Sequence, residues 1–570
     1  MKSTILTFEN VTVEYETGAR AVRDVSLRLY RDECLALVGE SGCGKTTLVR
    51  TALGILPPGT RVYGSIRVGD AEVLDAPGHT LRQLRGLVVG FVAQDPYKAC
   101  NPLDRVGAHV AEAWRAHGLK PPQDAIRNAL DALGIRHAAT ALRRYPHQWS
   151  GGMLQRATIA AAAAHHPPLI IADEPTSALD ANLADSTLAD LRRTGATVLL
   201  VSHDINVVTR HADRVAVLYA GRIVELAEAK DVLKHPRHPY TIALLNAIPR
   251  LGGGLPTALP GAPPDLTEVQ AGCAFAPRCR YAQATCRTQT PILRNGVACP
   301  VLSSDRQETP PTIRQTTAQH HAAPLVSRRA RHTGGATAPA CVVQARQVSK
   351  TYERGIRSVR ALVRASLRVE AGEIVGICGP SGCGKSTLLR LLATIERPTT
   401  GEVYWGGELV AVGGRRISTR RMRSGYVMPI FQDPVGSLDR RWPIWRTITE
   451  PLMAAHRASR PLPAQRREIA AARLHDVGLG NIDPAARPDE LSVGQCQRVA
   501  IARALTAKPA LIIADEPTSA LDVSVSASIL HLLAAAAEAG MAIVIVSHDQ
   551  AVLDVLCHRV LTMIDGILGG

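Results

Sequence analysis

The sequence predicts an α/β protein in which one domain, built on a mainly parallel sheet, occurs twice. Three observations carry this. Segments recur in the same order at near-constant spacing, from 337 residues (Tyr15 to Tyr352) to 345 (Val201 to Val546). Short runs rich in Val, Ile and Leu alternate with Ala/Leu-rich stretches, the pattern of parallel strands joined by crossover helices. Those apolar runs end in polar residues or Gly-rich turns, as expected where an open sheet presents ligand sites at the C-terminal ends of its strands. A whole set of segments at one spacing means duplication of a domain, not reuse of a single motif.

In chain order, ECLALVG (33–39) reads as a strand feeding a Gly-rich turn and then a helix, and EIVGICG (373–379) repeats it. VGESGCGKTT (38–47) recurs as CGPSGCGKST (378–387), and Gln94-Asp95-Pro96 as Gln432-Asp433-Pro434. LIIADEPTSALD (169–180) recurs unchanged at 511–522, and the buried strands TVLLVSH (197–203) and AIVIVSH (542–548) follow. The halves differ in what comes next. After the first, HPRHPYTIALLNAIP leads into a segment with Cys273, Cys279, Cys286 and Cys299. Residues 301–340 are then rich in Pro, Thr, Gln, Ser and Arg without periodicity, which reads as a flexible linker. The expected domains are therefore 1–234, a cysteine-containing extension at 235–300, the linker at 301–340 and a second copy at 341–570.

At 570 residues the chain exceeds a single core, and each half is large enough to fold without disulfides. Of the 12 cysteines, the eight outside the extension lie singly or in Gly-rich loops, which suggests a reducing compartment. A formal charge of +16 admits an anionic partner. The basic residues are scattered, however, so a solvated basic surface near anionic lipid is favoured over nucleic acid binding. Glu9, Glu14 and Glu16 interrupt any signal peptide, and the best apolar run, Ser526 to Val546, is broken by His531, Glu538 and Gly540. The chain is expected to be soluble and cytoplasmic by itself.

Gly39-x4-Gly44-Lys45-Thr46 and Gly379-x4-Gly384-Lys385-Ser386 fit the phosphate-loop pattern in the required strand-to-helix setting. The glycines let backbone N–H groups converge on a triphosphate, and the helix N-terminus adds its positive end. In this reading Ser41, Gly42, Thr47, Gly382, Ser381 and Thr387 complete the ATP-binding loops. Lys45 and Lys385 contact the β and γ phosphates, and Thr46 and Ser386 ligate Mg²⁺. Asp173 and Asp515 end apolar strands, where a carboxylate is costly unless it serves a cation. Glu174 and Glu516 follow and are placed to polarise an attacking water. Such a pair alone equally suits helix capping; beside a phosphate loop the catalytic role prevails.

Together these residues resemble the nucleotide-binding subunits of ABC transporters, in both halves. The resemblance implies two P-loop domains in tandem, each with a helical subdomain. It makes Tyr15 and Tyr352 the aromatics that stack on adenine, and Gln94 and Gln432 the loops that reach the metal and γ-phosphate and touch the membrane subunit. His203 and His548 become switch histidines. Ser177 to Asp180 and Ser519 to Asp522 match the loop that crosses between halves. The signature is Ser150-Gly151-Gly152 in the first half and Ser492-Val493-Gly494-Gln495 in the second. The resemblance implies that each signature caps the ATP of the other half, so that the halves pair within one chain. Val493 departs from the usual glycine; either the loop tolerates it and both sites hydrolyse ATP, or the site containing Lys45 hydrolyses more slowly.

The HPYT segment and the cysteine module resemble the C-terminal extension of dipeptide, oligopeptide and nickel importer ATPases. That likeness implies two transmembrane permease subunits, an extracytoplasmic solute-binding protein, and a place on the cytoplasmic face of the inner membrane. Spacings of five, six and twelve residues between the four cysteines fit structural zinc poorly. Four thiolates suit a 4Fe–4S cluster on ligand count, as in some relatives; four unliganded cysteines are the alternative. Peptide import is the leading expectation, with nickel or metallophore import beside it. A soluble tandem ATPase acting on ribosomes or DNA is the rival from another class.

Overall fold

The computed structural model describes residues 3–135, 137–176, 181–261, 263–268, 271–302, 340–354, 357–380, 382–417, 425–454, 460–519 and 521–569. Almost all of the expected linker lies outside them, as do Ser177, Ala178, Leu179, Asp180, Ser381 and Ala520. The described residues form two compact units. One is drawn from Met1–Leu245 and Pro260–Arg314, the other from Asn246–Leu259 and Gln315–Gly570.

Each unit carries a six-stranded sheet with the same strand order. In the first unit the sequence of neighbours is Val89–Val92, Leu169–Asp173, Thr197–Val201, Cys34–Val38, Arg214–Tyr219 and Arg222–Glu228. All pairs are parallel except the last. In the second it is Val427–Ile430, Leu511–Asp515, Ala542–Val546, Ile374–Cys378, Arg559–Ile564 and Ile567–Gly569, again antiparallel only at the final pair. Thr197–Val201 and Leu169–Asp173 are buried along their whole length. That is why they read as unbroken apolar runs rather than alternating ones.

A second, antiparallel sheet accompanies each parallel one, and the sequence reading had not singled it out. In the first unit Thr4–Glu14 pairs with Arg20–Tyr30 and with Arg61–Val68. Cys341–Arg354 does the same with Arg357–Glu370 and Thr400–Trp405. These strands bury one face only, and bulges interrupt their register. Phe8, Val25 and Leu29 meet Leu35, Leu37 and Leu169 in one apolar cluster, to which the helix Lys45–Ala52 adds Leu48 and Val49. The phosphate-loop helix is thereby anchored to both sheets.

The expected helical subdomain is present with a core of its own. Val106, Val110, Trp114, Leu130, Trp149 and Leu154 pack together from the helices Val106–Arg115, Ala125–Ala132 and Gly151–Ala162 and the turn before the last. Beyond the sheet, the extension folds back onto the first unit around Tyr219, Tyr240 and Phe275. The first two rings lie 4.5 Å apart, and Phe275 meets them at 5.3 and 5.4 Å.

Residues 246–259 behave differently from the rest of the extension, because their contacts belong to the second unit. The Gly252 N–H donates to Asp554 Oδ2 at 2.6 Å. His531 Nε2 and the Pro256 carbonyl stand 2.8 Å apart, and Leu255 packs against the large apolar cluster of that unit.

Candidate functional site

The two phosphate loops have the same local build. Gly44 heads the helix Lys45–Ala52 with φ 104°, and a Cβ there would sit 2.1 Å from the Ala21 carbonyl oxygen. Gly384 (φ 107°) has the same relation to Ala361 at 2.3 Å. Neither the backbone conformation nor the space admits another residue. The Lys45 ammonium is buried and donates to the carbonyls of Gly39 at 2.8 Å and Glu40 at 3.0 Å. Lys385 donates to Gly379 and Pro380 at 2.7 and 2.9 Å. Each lysine thus folds back over its own loop, where it can face bound phosphate.

At the ends of the neighbouring strands stand the acidic pairs. Thr46 Oγ1 donates to Asp173 Oδ1 at 3.0 Å, and the Ser386 hydroxyl bonds Asp515 likewise. Asp173 is only 2 % exposed, and burial pushes its carboxyl above the usual range; Asp515 shifts the same way for the same reason. A desolvated carboxylate beside a hydroxyl is the donor set of a hard divalent cation, so these residues fit Mg²⁺.

Glu174 lies one residue beyond Asp173 with φ 47°, and Glu516 beyond Asp515 with φ 51°; both adopt a conformation costly for a side chain of this kind. The Glu174 N–H donates to the Val201 carbonyl at 2.9 Å, which holds the turn. Gln94 Nε2 donates to Glu174 Oε2 at 2.7 Å, and His203 Nδ1 stands 3.7 Å from the same oxygen. In the second unit Gln432 Nε2 donates to Glu516 Oε2 at 3.2 Å, and His548 Nδ1 stands 3.5 Å from Glu516 Oε1. Burial pushes the Glu174 carboxyl up, but His203, Lys45 and Gln94 together hold it below its ordinary value. For Glu516 the His548 contact is the largest influence, and the carboxyl is again lowered. His203 is raised, because Glu174 outweighs its desolvation. Amide and imidazole therefore converge on the carboxylates of Glu174 and Glu516, each next in the chain to the aspartate that pairs with the loop hydroxyl.

Tyr15 and Tyr352 border these loops: the Tyr15 hydroxyl shares a 2.8 Å hydrogen bond with Thr47 Oγ1, and Tyr352 donates to Glu396 at 2.5 Å. A cavity of about 410 Å³ opens in the second unit beside Ser386, Arg390, Gln432 and Asp515. The signature residues cap helices. Ser150 caps the helix Gly151–Ala162 by accepting from the Met153 N–H at 3.3 Å. Ser492 caps Val493–Thr506, with Gln495 returning a bond to the Ser492 N–H at 2.8 Å. Gly152 is tightly enclosed, a Cβ there lying 2.1 Å from Leu183 Cδ2. Val493 is 49 % exposed in the first turn of its helix, where the backbone makes no demand for glycine.

Sequence reasoning missed two sets of residues. Tyr97, three residues after Gln94, donates from its hydroxyl to the Trp149 carbonyl at 3.0 Å, tying the glutamine segment to the start of the signature helix. Val435 occupies the equivalent place in the second half, so no motif marked Tyr97. Glu40, Tyr240 and Arg278 form a buried group under the first phosphate loop, although 238 residues separate Glu40 from Arg278 and no pattern joins them.

The four cysteines of the extension are free thiols gathered in one region, and each is within electrostatic reach of the other three. The Cys273 N–H donates to the Cys286 carbonyl at 2.7 Å. Burial pushes the Cys273 thiol up to about 11. Among the described residues no three His, Cys, Asp or Glu side chains form a ready single-ion site. Also among the described residues, no helix is long and apolar enough to cross a membrane.

Comparison with known proteins supplies a family match in each half. The model described as "ABC transporter" matches residues 22–177 and 362–519, and "Oligopeptide/dipeptide transporter, C-terminal region" matches 224–286. The chain is 37 % identical to the oligopeptide transport ATP-binding protein OppD of Mycobacterium tuberculosis, over 99 % of this chain and 94 % of that one. It is 34 % identical to the glutathione import ATP-binding protein GsiA of Pectobacterium atrosepticum, over 99 % and 85 %. A solved structure of RNase-L Inhibitor covers 99 % of the chain at a TM-score of 0.56 and 19 % identity, a likeness of fold alone.

Proposed function

The chain belongs to the ABC transporter family, and from that premise we propose that it is the ATP-hydrolysing subunit of an importer for dipeptides and oligopeptides. The observation that carries this reading is the pairing of two full sets of ATP-site residues with an extension of the oligopeptide/dipeptide type. Uptake would pass through two separate permease subunits fed by an extracytoplasmic binding protein, with this subunit held at the cytoplasmic face of the membrane by the permeases.

In each unit the glycine loop and its lysine (Lys45 or Lys385) bind the β and γ phosphates. Thr46 with Asp173, and Ser386 with Asp515, would hold Mg²⁺, which neutralises charge on the phosphates when bound. Glu174 and Glu516, kept ionised by their histidines and glutamines, orient and polarise a water for in-line attack on the γ-phosphorus. His203 and His548 stabilise the charge that accumulates on the γ-phosphoryl oxygens. Ser150 and Ser492, at helix N-termini, present N–H groups suited to an anion. On ligand count, the four cysteines are proposed to hold a 4Fe–4S cluster as the second cofactor. Iron content and a visible absorption band in anaerobically purified protein test that point, and their absence refutes it.

The decisive experiment for the transport reading is purification of the tagged full chain from membranes. It should retain two multi-span membrane proteins, and ATP turnover of that complex should rise with a peptide-loaded binding protein. Co-sedimentation with ribosomes in place of membrane partners would refute it, and stimulation by nickel or a metallophore instead of peptide would change the cargo.

A further inference from the structure

The two phosphate loops differ at a position that phosphate binding does not explain. Gly39 is followed by Glu40, whereas Gly379 is followed by Pro380. Glu40 is 2 % exposed, and its own carbonyl receives the Lys45 ammonium. A carboxylate buried in the wall of a loop shaped for a polyanion is unfavourable twice, through lost hydration and through repulsion of the ligand.

The extension supplies a counter-charge. Arg278 Nη1 donates to Glu40 Oε2 at 2.8 Å and Nη2 to Oε1 at 3.0 Å, a bidentate fork with both side chains buried. Two more guanidinium donors are engaged: Nε with the Pro260 carbonyl at 2.7 Å, and Nη1 also with the Tyr219 hydroxyl at 3.2 Å. From the other side the Glu40 N–H donates to the Tyr240 hydroxyl at 2.9 Å. Arg278 ends the short turn Ala276–Arg278, which is bracketed by Cys273 and Cys279. The cysteine module is therefore the mount from which the guanidinium reaches the loop.

We infer that Arg278 is a positioning residue of the first ATP site, acting through Glu40: it neutralises and fixes that carboxylate so the loop can accept a triphosphate. ATP affinity in the first half is thus conditional on a folded extension, and in the second half, with Pro380, it is not. The inference rests on the reading of the Lys45 loop as an ATP site.

The test uses the full chain carrying Lys385→Ala, so that a fluorescent ATP analogue reports the first half. Arg278→Met should weaken binding on the order of tenfold or more, because a buried carboxylate in the loop then loses its guanidinium. Glu40→Gln should not weaken it, and the double variant should recover to within about threefold, since both charges are then gone. A merely structural tie would lower thermal stability in both single variants and shift the affinity of neither, or of both alike; either pattern overturns the inference. If Arg278→Met does not fold, Arg278→Lys decides. It keeps the charge and loses the fork, so its affinity should stay within about threefold, and a tenfold loss would refute charge neutralisation. Adding Lys45→Ala to the same background separates the two levels. If that change leaves binding intact, the ATP-site reading itself has failed; if it abolishes binding while Arg278→Met changes nothing, only this inference has.

Discussion

Replacing Glu174 and Glu516 by glutamine, singly and together, tests the chemistry with little disturbance of shape. Gln94 Nε2 donates to Glu174 at 2.7 Å, and a glutamine carbonyl can still accept that bond. What disappears is the negative charge 3.7 Å from His203 Nδ1, in a pocket where the two side chains are 17 % and 31 % exposed. Partial solvent screening limits the loss of stability to about 1 kcal/mol. The catalytic loss is larger, because water is no longer polarised: the double variant should fall by about 10²- to 10⁴-fold in turnover. Affinity for ATP should be retained, since Lys45 and its glycine loop are untouched. Phosphate release measured on the full chain, with analogue binding and thermal denaturation on the same samples, separates these effects. A double variant whose turnover stays within about tenfold of the unmodified chain would refute the assignment of Glu174 and Glu516.

Stability should depend on pH through the same pair. Glu174 is lowered from 4.5, so its contribution is complete above that pH and fades as pH falls through the lowered value. His203 is raised from 6.5, so its contribution is complete below that pH and fades as pH rises through the raised value. The gap in melting temperature between the unmodified chain and Glu174→Gln should therefore be widest between pH 4.5 and 6.5 and narrow on either side. Gly384→Ala should cost about 3 kcal/mol or more and abolish nucleotide binding in the second half, because the new Cβ meets the Ala361 oxygen at 2.3 Å. Gly540→Ala, at φ 95° with nothing within 4 Å, should cost only about 1 kcal/mol; denaturant titration of the two variants checks both values. Tyr97→Phe removes the bond to Trp149 and should lower stability by about 0.5–1 kcal/mol with ATP affinity unchanged.

The parts of the fold visible in the sequence were those where one physical demand fixes residue type. Leu169–Asp173 is buried on both faces and ends on a carboxylate, so apolar content and the terminal Asp announce strand and site together. Gly44 and Gly384 are required by contacts of 2.1 and 2.3 Å, and such demands leave a readable motif. Thr4–Glu14 was not legible as part of a separate sheet: its alternation is interrupted by bulges and its partners depend on chain reversal rather than on local pattern. The fork between Arg278 and Glu40 was invisible for another reason. The phosphate-loop pattern leaves the position after Gly39 open, and nothing near Arg278 distinguishes it from the other arginines of a basic chain. Ser150 and Ser492 were legible as residues, yet in each unit their bonds are those of helix caps.

Residues 246–259 run with the first half in sequence and with the second half in packing. Cleaving the backbone anywhere from 303 to 339 would leave the N-terminal product owning Leu255 and Pro256, while the C-terminal product kept Asp554 and His531 without their partners. The genetic border and the folding border of this polypeptide are therefore not the same. A fragment that begins at 340 inherits an incomplete surface, and supplying the short stretch around Leu255 in trans is the natural way to make it whole.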